Sequence, residues 1–117
     1  MHDPEQAAGE LKRAVKELGM FGGLVNDFQS TGENGSGKEY YDTEKYFPFW
    51  KAVEELDVPI YFHPRWPPAS ELEPDQPYGA RKHLLGAAVS FHLELSFQIY
   101  AMCASGLCFS TAFAKLF

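Results

Sequence analysis

The spacing of hydrophobic residues along the chain predicts three helices. Apolar side chains recur three and four positions apart over residues 4–18, and Asp3 and Gly19 flank this stretch as an N-cap and a C-cap. The same spacing predicts a second helix in the run PFWKAVEELD, residues 48–57. A third helix is predicted over about residues 82–104, and because that stretch is hydrophobic almost all round, we expect it to be buried.

Two short apolar runs between these helices are typical of buried parallel strands. The first is predicted over residues 23–26 and the second over residues 58–63, VPIYFH. A long loop rich in Gly, Ser and Asn follows the first strand, and a proline-rich loop follows the second. The order α-β-α-β-α predicts an α/β fold with a parallel sheet. Since two strands alone do not form a stable sheet, we expect the chain to be an arc of a larger fold.

Composition and charge narrow the classes of function. The 117 residues are 45% hydrophobic with a formal net charge of -6, so we expect a folded chain and no nucleic-acid partner. His92 and Glu94 lie in the middle of the apolar third helix, which disfavours a membrane span. The first residues lack the apolar core of a secretory signal, and we expect a cytoplasmic location. Cys103 and Cys108 match neither a zinc ribbon nor a disulfide framework and are interpreted as core thiols.

Polar residues at the carboxyl ends of the two predicted strands are the first candidates for chemistry. In α/β folds ligands bind beyond these ends, where Asn26 and His63 lie. His63 is either a metal ligand or a hydrogen-bonded, partly buried histidine. Arg65 either binds a carboxylate through two parallel hydrogen bonds or forms a surface salt bridge. Glu94 needs a partner in its apolar helix, and a structural ion pair is favoured over a role in supporting a site.

The sequence resembles the amidohydrolase-superfamily decarboxylases, in particular those acting on hydroxybenzoates such as 2,3-dihydroxybenzoate and γ-resorcylate. The matching stretches are DPEQAAGELKRAVKELGMFGGLVND, YYDTEKYFPFWKAVEELDVPIYFHPR and LLGAAVSFHLELSFQIYAMCASGL. The run from PFW to HPR is the most specific part, and the resemblance extends to about Leu107. It implies a partial amidohydrolase-related barrel domain over residues 1–107 and a divergent C-terminal tail over residues 108–117.

The fold implied by this resemblance is a partial TIM (β/α)8 barrel of the metal-dependent hydrolase type, about two βα units plus a preceding helix. His63 falls on the family's metal-ligand histidine, Asn26 on an asparagine that lines the pocket, and Arg65 on a pocket-adjacent arginine, so the last two are assigned to substrate binding. The implied cofactor is a divalent zinc, manganese or magnesium ion, and the implied partner is an aromatic carboxylic acid. A homo-oligomer is compatible with the resemblance.

The resemblance also implies that the chain is a fragment of a carboxy-lyase that removes CO2 from a hydroxybenzoate-type acid. The family's other metal ligands and its acid–base residues have no counterpart in these 117 residues. We therefore assign no catalytic residue, and we expect the chain on its own to be inactive and to bind the metal weakly. Two alternatives stay open: an amidohydrolase-type hydrolase of an amide or lactone, and a non-catalytic truncated product that binds a full-length relative.

Overall fold

The computed structural model describes residues 1–107, in which three α-helices accompany two small β-sheets. In chain order the elements are α1 (Pro4–Leu18), β1 (Gly23–Asn26), β2 (Gln29–Thr31), β3 (Gly37–Glu39), α2 (Phe47–Leu56), β4 (Ile60–His63) and α3 (Ser90–Ala104). β1 and β4 pair in parallel, and β2 and β3 pair as an antiparallel hairpin. The mixed helix and strand order confirms the α/β prediction at this level.

The first helix has the bounds and the caps predicted from the sequence. The Asp3 carboxylate accepts a hydrogen bond from the backbone N–H of Gln6 at 3.0 Å, which satisfies a free donor of the first turn. Gly19 ends the helix in the left-handed conformation, with φ of 69°. The inner stripe of α1 packs against α2 and places Leu11 in the core.

The parallel pair β1–β4 matches the two predicted strands, although β4 begins at Ile60 rather than at residue 58. Pro59 has no N–H to donate, but its carbonyl accepts a hydrogen bond from the backbone N–H of Gly23 at 3.2 Å. This is the first hydrogen bond between the two strands. The chains come very close here, because a Cβ on Gly22 would overlap the Pro59 carbonyl oxygen. Glycine is therefore needed where the two strands first meet.

The predicted long loop after β1 is wrong in part, because it contains the hairpin β2–β3. Each of its strands has three residues, too few to give a recognisable alternation of apolar and polar positions. The turn between them uses Gly32, Asn34 and Gly35 with positive φ, at 74°, 57° and 70°. The Gly and Asn residues that suggested an irregular loop are the residues this tight turn requires.

The third helix begins at Ser90 and not near residue 82, so the predicted start is wrong. Two short 3-10 turns, Lys82–Leu84 and Gly86–Ala88, occupy the preceding stretch. Gly86 has φ of 70°, which no α-helix accommodates, and its N–H donates to the Ser90 side-chain oxygen at 2.8 Å. The left-handed glycine thus separates these turns from α3.

The burial expected for α3 is also wrong, because this helix turns its polar stripe inward. Its buried residues follow one another at four-residue spacing: Ser90, Glu94, Gln98 and Met102. Phe97 and Tyr100 on other faces are 57% and 74% exposed. The inward carboxylate of Glu94 is bound by Lys38 and Tyr40, and the side-chain oxygen of Gln98 accepts the backbone N–H of Tyr41 at 3.3 Å, whereas the buried amide nitrogen of Gln98 has no hydrogen-bond partner within the described residues. Cys103 is exposed rather than a core thiol, and Cys108 lies outside the described residues.

The core lies between the helices and one face of the β1–β4 sheet. It is built from buried apolar and aromatic side chains: Leu11, Tyr41, Tyr46, Phe49, Trp50, Val53, Ile60, Phe62 and Met102. The indole N–H of Trp50 donates to the Tyr41 carbonyl at 2.8 Å, so the largest ring of the core is also hydrogen-bonded. Among residues 1–107, no helix is long and apolar enough to cross a membrane.

Candidate metal and substrate site

Asn26 and His63 lie side by side at the carboxyl ends of the two parallel strands, where they are partners in the register. Both are exposed, whereas Phe62, which precedes His63 in β4, points into the core. Alternation along the strands places Leu24 and Tyr61 on the same outer face, and these are also partners, 62% and 63% exposed. The sheet therefore has one face covered by helices and one open face, with the polar pair at its carboxyl edge.

The imidazole of His63 has the orientation expected of a metal ligand. Its Nδ1 lies 2.9 Å from the carbonyl oxygen of Pro64. Because a carbonyl only accepts hydrogen bonds, Nδ1 carries a proton, and in the neutral ring the free lone pair is then on Nε2. Metal-ligating histidines are commonly held in this tautomer by a backbone carbonyl. The side chain thus fits the requirements for one ligand to a divalent metal.

The described part of the chain does not supply a complete metal site. No group of three or more His, Cys, Asp or Glu side chains within residues 1–107 is arranged to hold a metal ion. A single imidazole binds a divalent ion weakly, since stable sites need three or four ligands. The residues present therefore fit a contribution to a shared site.

Arg65, the third predicted site residue, is half-buried beside the ring of Phe28. The centre of its guanidinium lies 5.4 Å from the ring centroid, a cation–π distance. Within residues 1–107 the guanidinium has no ion pair, so the surface salt bridge considered from the sequence is not formed there. Its hydrogen-bond donors therefore remain available for a carboxylate.

Asp27 is a buried carboxylate that the sequence reasoning missed. It is 0% exposed, and its two oxygens accept the backbone N–H groups of Phe28 at 3.0 Å and of Arg65 at 3.3 Å. Burial raises the pKa of this carboxyl, and the two N–H donors oppose that rise. The available signal was an acidic residue placed directly between an apolar strand and Phe28, where a charge needs a partner.

Behind Phe28 lies a half-buried ionic cluster centred on Lys38. The Lys38 ammonium is 2.6 Å from a carboxylate oxygen of Glu94 and 2.6 Å from one of Glu71, and the Tyr40 hydroxyl donates to Glu94 at 2.9 Å. Burial alone lowers the pKa of Lys38, but the two carboxylates outweigh it and raise the pKa above 10.5. The structural ion pair favoured for Glu94 is confirmed, and Lys38 is the partner that the sequence did not identify.

Comparison with known proteins decides the family. The family model described as Amidohydrolase matches residues 1–100, most of the chain. This chain belongs to the amidohydrolase family. The resemblance stated from the sequence is thereby confirmed at the level of the family.

Curated relatives of this amidohydrolase-family chain are decarboxylases. A γ-resorcylate decarboxylase from Polaromonas sp. is 44% identical over 107 residues, which are 92% of this chain and 32% of that enzyme. The enzyme of the same name from Rhodococcus jostii is 43% identical over 109 residues, again 92% of this chain and 32% of the enzyme. The chain therefore spans about a third of the length of these relatives.

Solved structures of similar proteins agree with this placement. A 2,6-dihydroxybenzoate decarboxylase complexed with 2,6-dihydroxybenzoate superposes with a TM-score of 0.84 at 39% identity, covering 98% of this chain and 34% of that one. A dihydroxybenzoic acid decarboxylase from Polaromonas sp., with bound manganese and the inhibitor 2-nitroresorcinol, has a TM-score of 0.81 at 42% identity over 99% of this chain and 33% of that one. The described fold is thus that of amidohydrolase-superfamily decarboxylases over this stretch.

Two tyrosines of this amidohydrolase-family chain predict an alkaline limit to its stability. Burial raises the pKa of Tyr40 and of Tyr41 above the ordinary value of 10.0, and the hydrogen bond to Glu94 adds to the rise for Tyr40. Both hydroxyls thus stay neutral in the folded chain at a pH where they ionise in the unfolded one. Their contribution to stability is full below pH 10.0 and is lost progressively as the pH rises above that value.

The measurement is the free energy of unfolding in urea, taken at several values between about pH 8 and about pH 11. We expect this free energy to fall above pH 10. In the Tyr40→Phe variant the fall should be less steep, because one of the two ionising hydroxyls has been removed. An unfolding free energy that stays level up to pH 11 would contradict the prediction.

Proposed function

We propose that this chain forms part of the active site of a metal-dependent decarboxylase acting on hydroxybenzoate-type acids. In this proposal His63 is a metal ligand, and Asn26 and Arg65 bind the substrate. The main support is the register pairing of Asn26 with His63 at the carboxyl edge of the sheet, with Nε2 of His63 free for a metal. The names of the relatives, γ-resorcylate and 2,6-dihydroxybenzoate decarboxylases, supply the substrate class.

The proposed architecture is a partial (β/α)8 barrel of about two βα units plus a preceding helix, within a domain that includes residues 1–107. The open face of β1 and β4, which carries Leu24 and Tyr61, would be its interior. Alternating strand residues fill the interior of such barrels, and active sites lie at the carboxyl ends of their strands. The predicted divergent tail, residues 108–117, lies outside the described residues and stays a prediction.

Each site residue has a distinct task in this proposal. Nε2 of His63 would be one ligand of the divalent ion, and that ion would supply the positive charge that stabilises the carboxylate and phenolic oxygens of the substrate. The guanidinium of Arg65 binds the carboxylate by parallel hydrogen bonds, and the amide of Asn26 donates to a phenolic oxygen. Decarboxylation adds a proton to the ring carbon and breaks its bond to the carboxyl carbon, so CO2 leaves. The group that supplies that proton is expected on strands beyond these residues.

Zinc, manganese and magnesium all suit a site of this ligand type, and manganese is the ion named for the Polaromonas structure. His63 is the one metal ligand proposed here, and residues 1–107 hold no cluster of metal-binding side chains. The isolated chain is therefore expected to bind any of these ions weakly. The cytoplasmic location and the homo-oligomeric state stay predictions.

The experiment that tests the proposal replaces the matching 107 residues of the Polaromonas γ-resorcylate decarboxylase with residues of this chain. We expect the spliced enzyme to release CO2 from γ-resorcylate or 2,6-dihydroxybenzoate, and the isolated 117-residue chain to release none. A spliced enzyme that folds and binds manganese but hydrolyses an amide or lactone instead of releasing CO2 would favour the alternative function, an amidohydrolase-type hydrolase. A folded enzyme without either activity would favour a chain that only binds a full-length relative.

A further inference from the structure

We propose that Asp27 is a positioning residue, which holds the turn His63–Pro64–Arg65 in the conformation that presents the free nitrogen of His63. The inference deepens the proposed function and rests on it, because the turn carries the proposed metal ligand and the proposed carboxylate-binding arginine. Asp27 itself is buried and does not touch the substrate. Its role is exerted through the backbone of the turn.

The backbone of Asp27 holds the first residue of the turn. Its N–H donates to the carbonyl oxygen of His63 at 3.1 Å, which continues the β1–β4 ladder by one step past Asn26. This bond involves only main-chain atoms and would form with any residue except proline at position 27. It therefore fixes where His63 ends the strand, but it does not explain why an acidic residue is present.

The side chain of Asp27 holds the third residue of the turn. One carboxylate oxygen accepts the backbone N–H of Arg65 at 3.3 Å, and the other accepts that of Phe28 at 3.0 Å. Pro64 between the ends has no N–H, and its carbonyl is bound by the imidazole of His63 at 2.9 Å. The main chain of Asp27 thus binds the first residue of the turn, and its side chain binds the third. The carbonyl of Pro64, in the middle of the turn, accepts the proton of Nδ1 and so favours one tautomer of His63.

A buried carboxylate at this place calls for a reason, since burying an acid is unfavourable. Within residues 1–107 Asp27 forms no ion pair, and the partners of its oxygens are two backbone N–H groups. An amide side chain has one accepting oxygen, so an asparagine at this position leaves one of the two N–H groups without its partner. Asp27 is therefore suited to a turn that needs two acceptors at one point.

The test compares Asp27→Asn with two control variants in the full 117-residue chain. Asp75→Asn removes the same charge from an exposed position, and Leu11→Ala lowers overall stability from within the core. One readout is the tautomer of His63, from the nitrogen-15 shifts of its ring. The other is the hydrogen-exchange rate of the Arg65 amide, resolved by residue.

With Asp27→Asn we expect the Arg65 amide to exchange at least about tenfold faster than the amides of β1 and β4 in the same variant. We also expect the Nε2-protonated form of His63 to appear, because Pro64 no longer stays within reach of Nδ1. Leu11→Ala should accelerate exchange across the whole sheet and leave the tautomer unchanged. Asp75→Asn should change neither readout. An Asp27→Asn chain whose two readouts match those of Leu11→Ala would overturn the proposal and leave Asp27 a merely structural residue.

The wild-type chain keeps the proposal testable if Asp27→Asn fails to fold. The Arg65 amide must then exchange at least about tenfold more slowly than in an unstructured peptide, and exchange at the unstructured rate overturns the proposal. The manganese content of the spliced enzyme tests the proposed function separately, by comparison with its His63→Ala variant. An unchanged manganese content in that variant argues against His63 as a ligand, whatever the two Asp27 readouts show.

Discussion

His63→Ala in the spliced enzyme is expected to lower kcat/KM for CO2 release by about a thousandfold, or about 4 kcal/mol of transition-state stabilisation. His63 ends β4 with Nδ1 bound to the Pro64 carbonyl, so Nε2 is the atom that the variant removes from the site. A divalent ion that loses a ligand binds less tightly and no longer holds the substrate oxygens in place. We expect the manganese content per chain to fall together with the rate.

Two other histidines provide matched controls for this variant. His83 and His92 are exposed and lie in the stretch that leads into and forms α3, so neither belongs to β1 or β4. Their alanine variants should keep both rate and manganese content within about twofold of the unsubstituted enzyme. A His63→Ala enzyme with full rate and full metal content would show that His63 is not a ligand. A loss of rate with unchanged metal content would instead point to direct contact with the substrate.

Lys38→Met is expected to lower the free energy of unfolding of the chain by about 3 kcal/mol. The side chains of Lys38 and Glu94 are each only 12% exposed, and Glu71 is 29% exposed. Removing the ammonium leaves two carboxylates facing each other without a compensating charge, and the cost of a half-buried unpaired charge exceeds that of a lost contact. The same substitution also removes the cation that lies 5.1 Å from the centroid of Phe28.

Urea unfolding of Lys38→Met and Lys12→Met measures this effect against a control. Lys12 pairs with Glu55 at 2.8 Å, but their side chains are 42% and 47% exposed, so its loss should cost less than about 1 kcal/mol. The double variant Lys38→Met/Glu94→Gln should recover part of the stability, because one of the unpaired carboxylates is gone. If Lys38→Met were no more destabilising than Lys12→Met, the cluster would not hold the hairpin and α3 together.

The elements with a strong local signal were predicted correctly, with small errors at their ends. α1 carries its stripe and both caps in its own sequence, and β1 and β4 are short apolar runs bounded by turn residues. The position of Asn26 and His63 at one edge of the sheet followed from the general rule that the site of an α/β fold lies beyond the carboxyl ends of its strands, and the structure added that the two are register partners. The hairpin β2–β3 was missed because three-residue strands are defined by each other and not by their own pattern.

The sequence by itself determined the α/β order, the two strand ends that carry Asn26 and His63, and the resemblance to the amidohydrolase family, since each depends on residues that are near one another in the chain. Only the tertiary structure decided which side of α3 faces inward, because that choice depends on Lys38, 56 positions from Glu94 in the chain. Tertiary structure also revealed the contact of Asp27 with the turn after β4: one of its carboxylate oxygens accepts the backbone N–H of Arg65, which is 38 positions away in the chain. A buried polar group is stable only with a partner, and that partner is chosen by the fold.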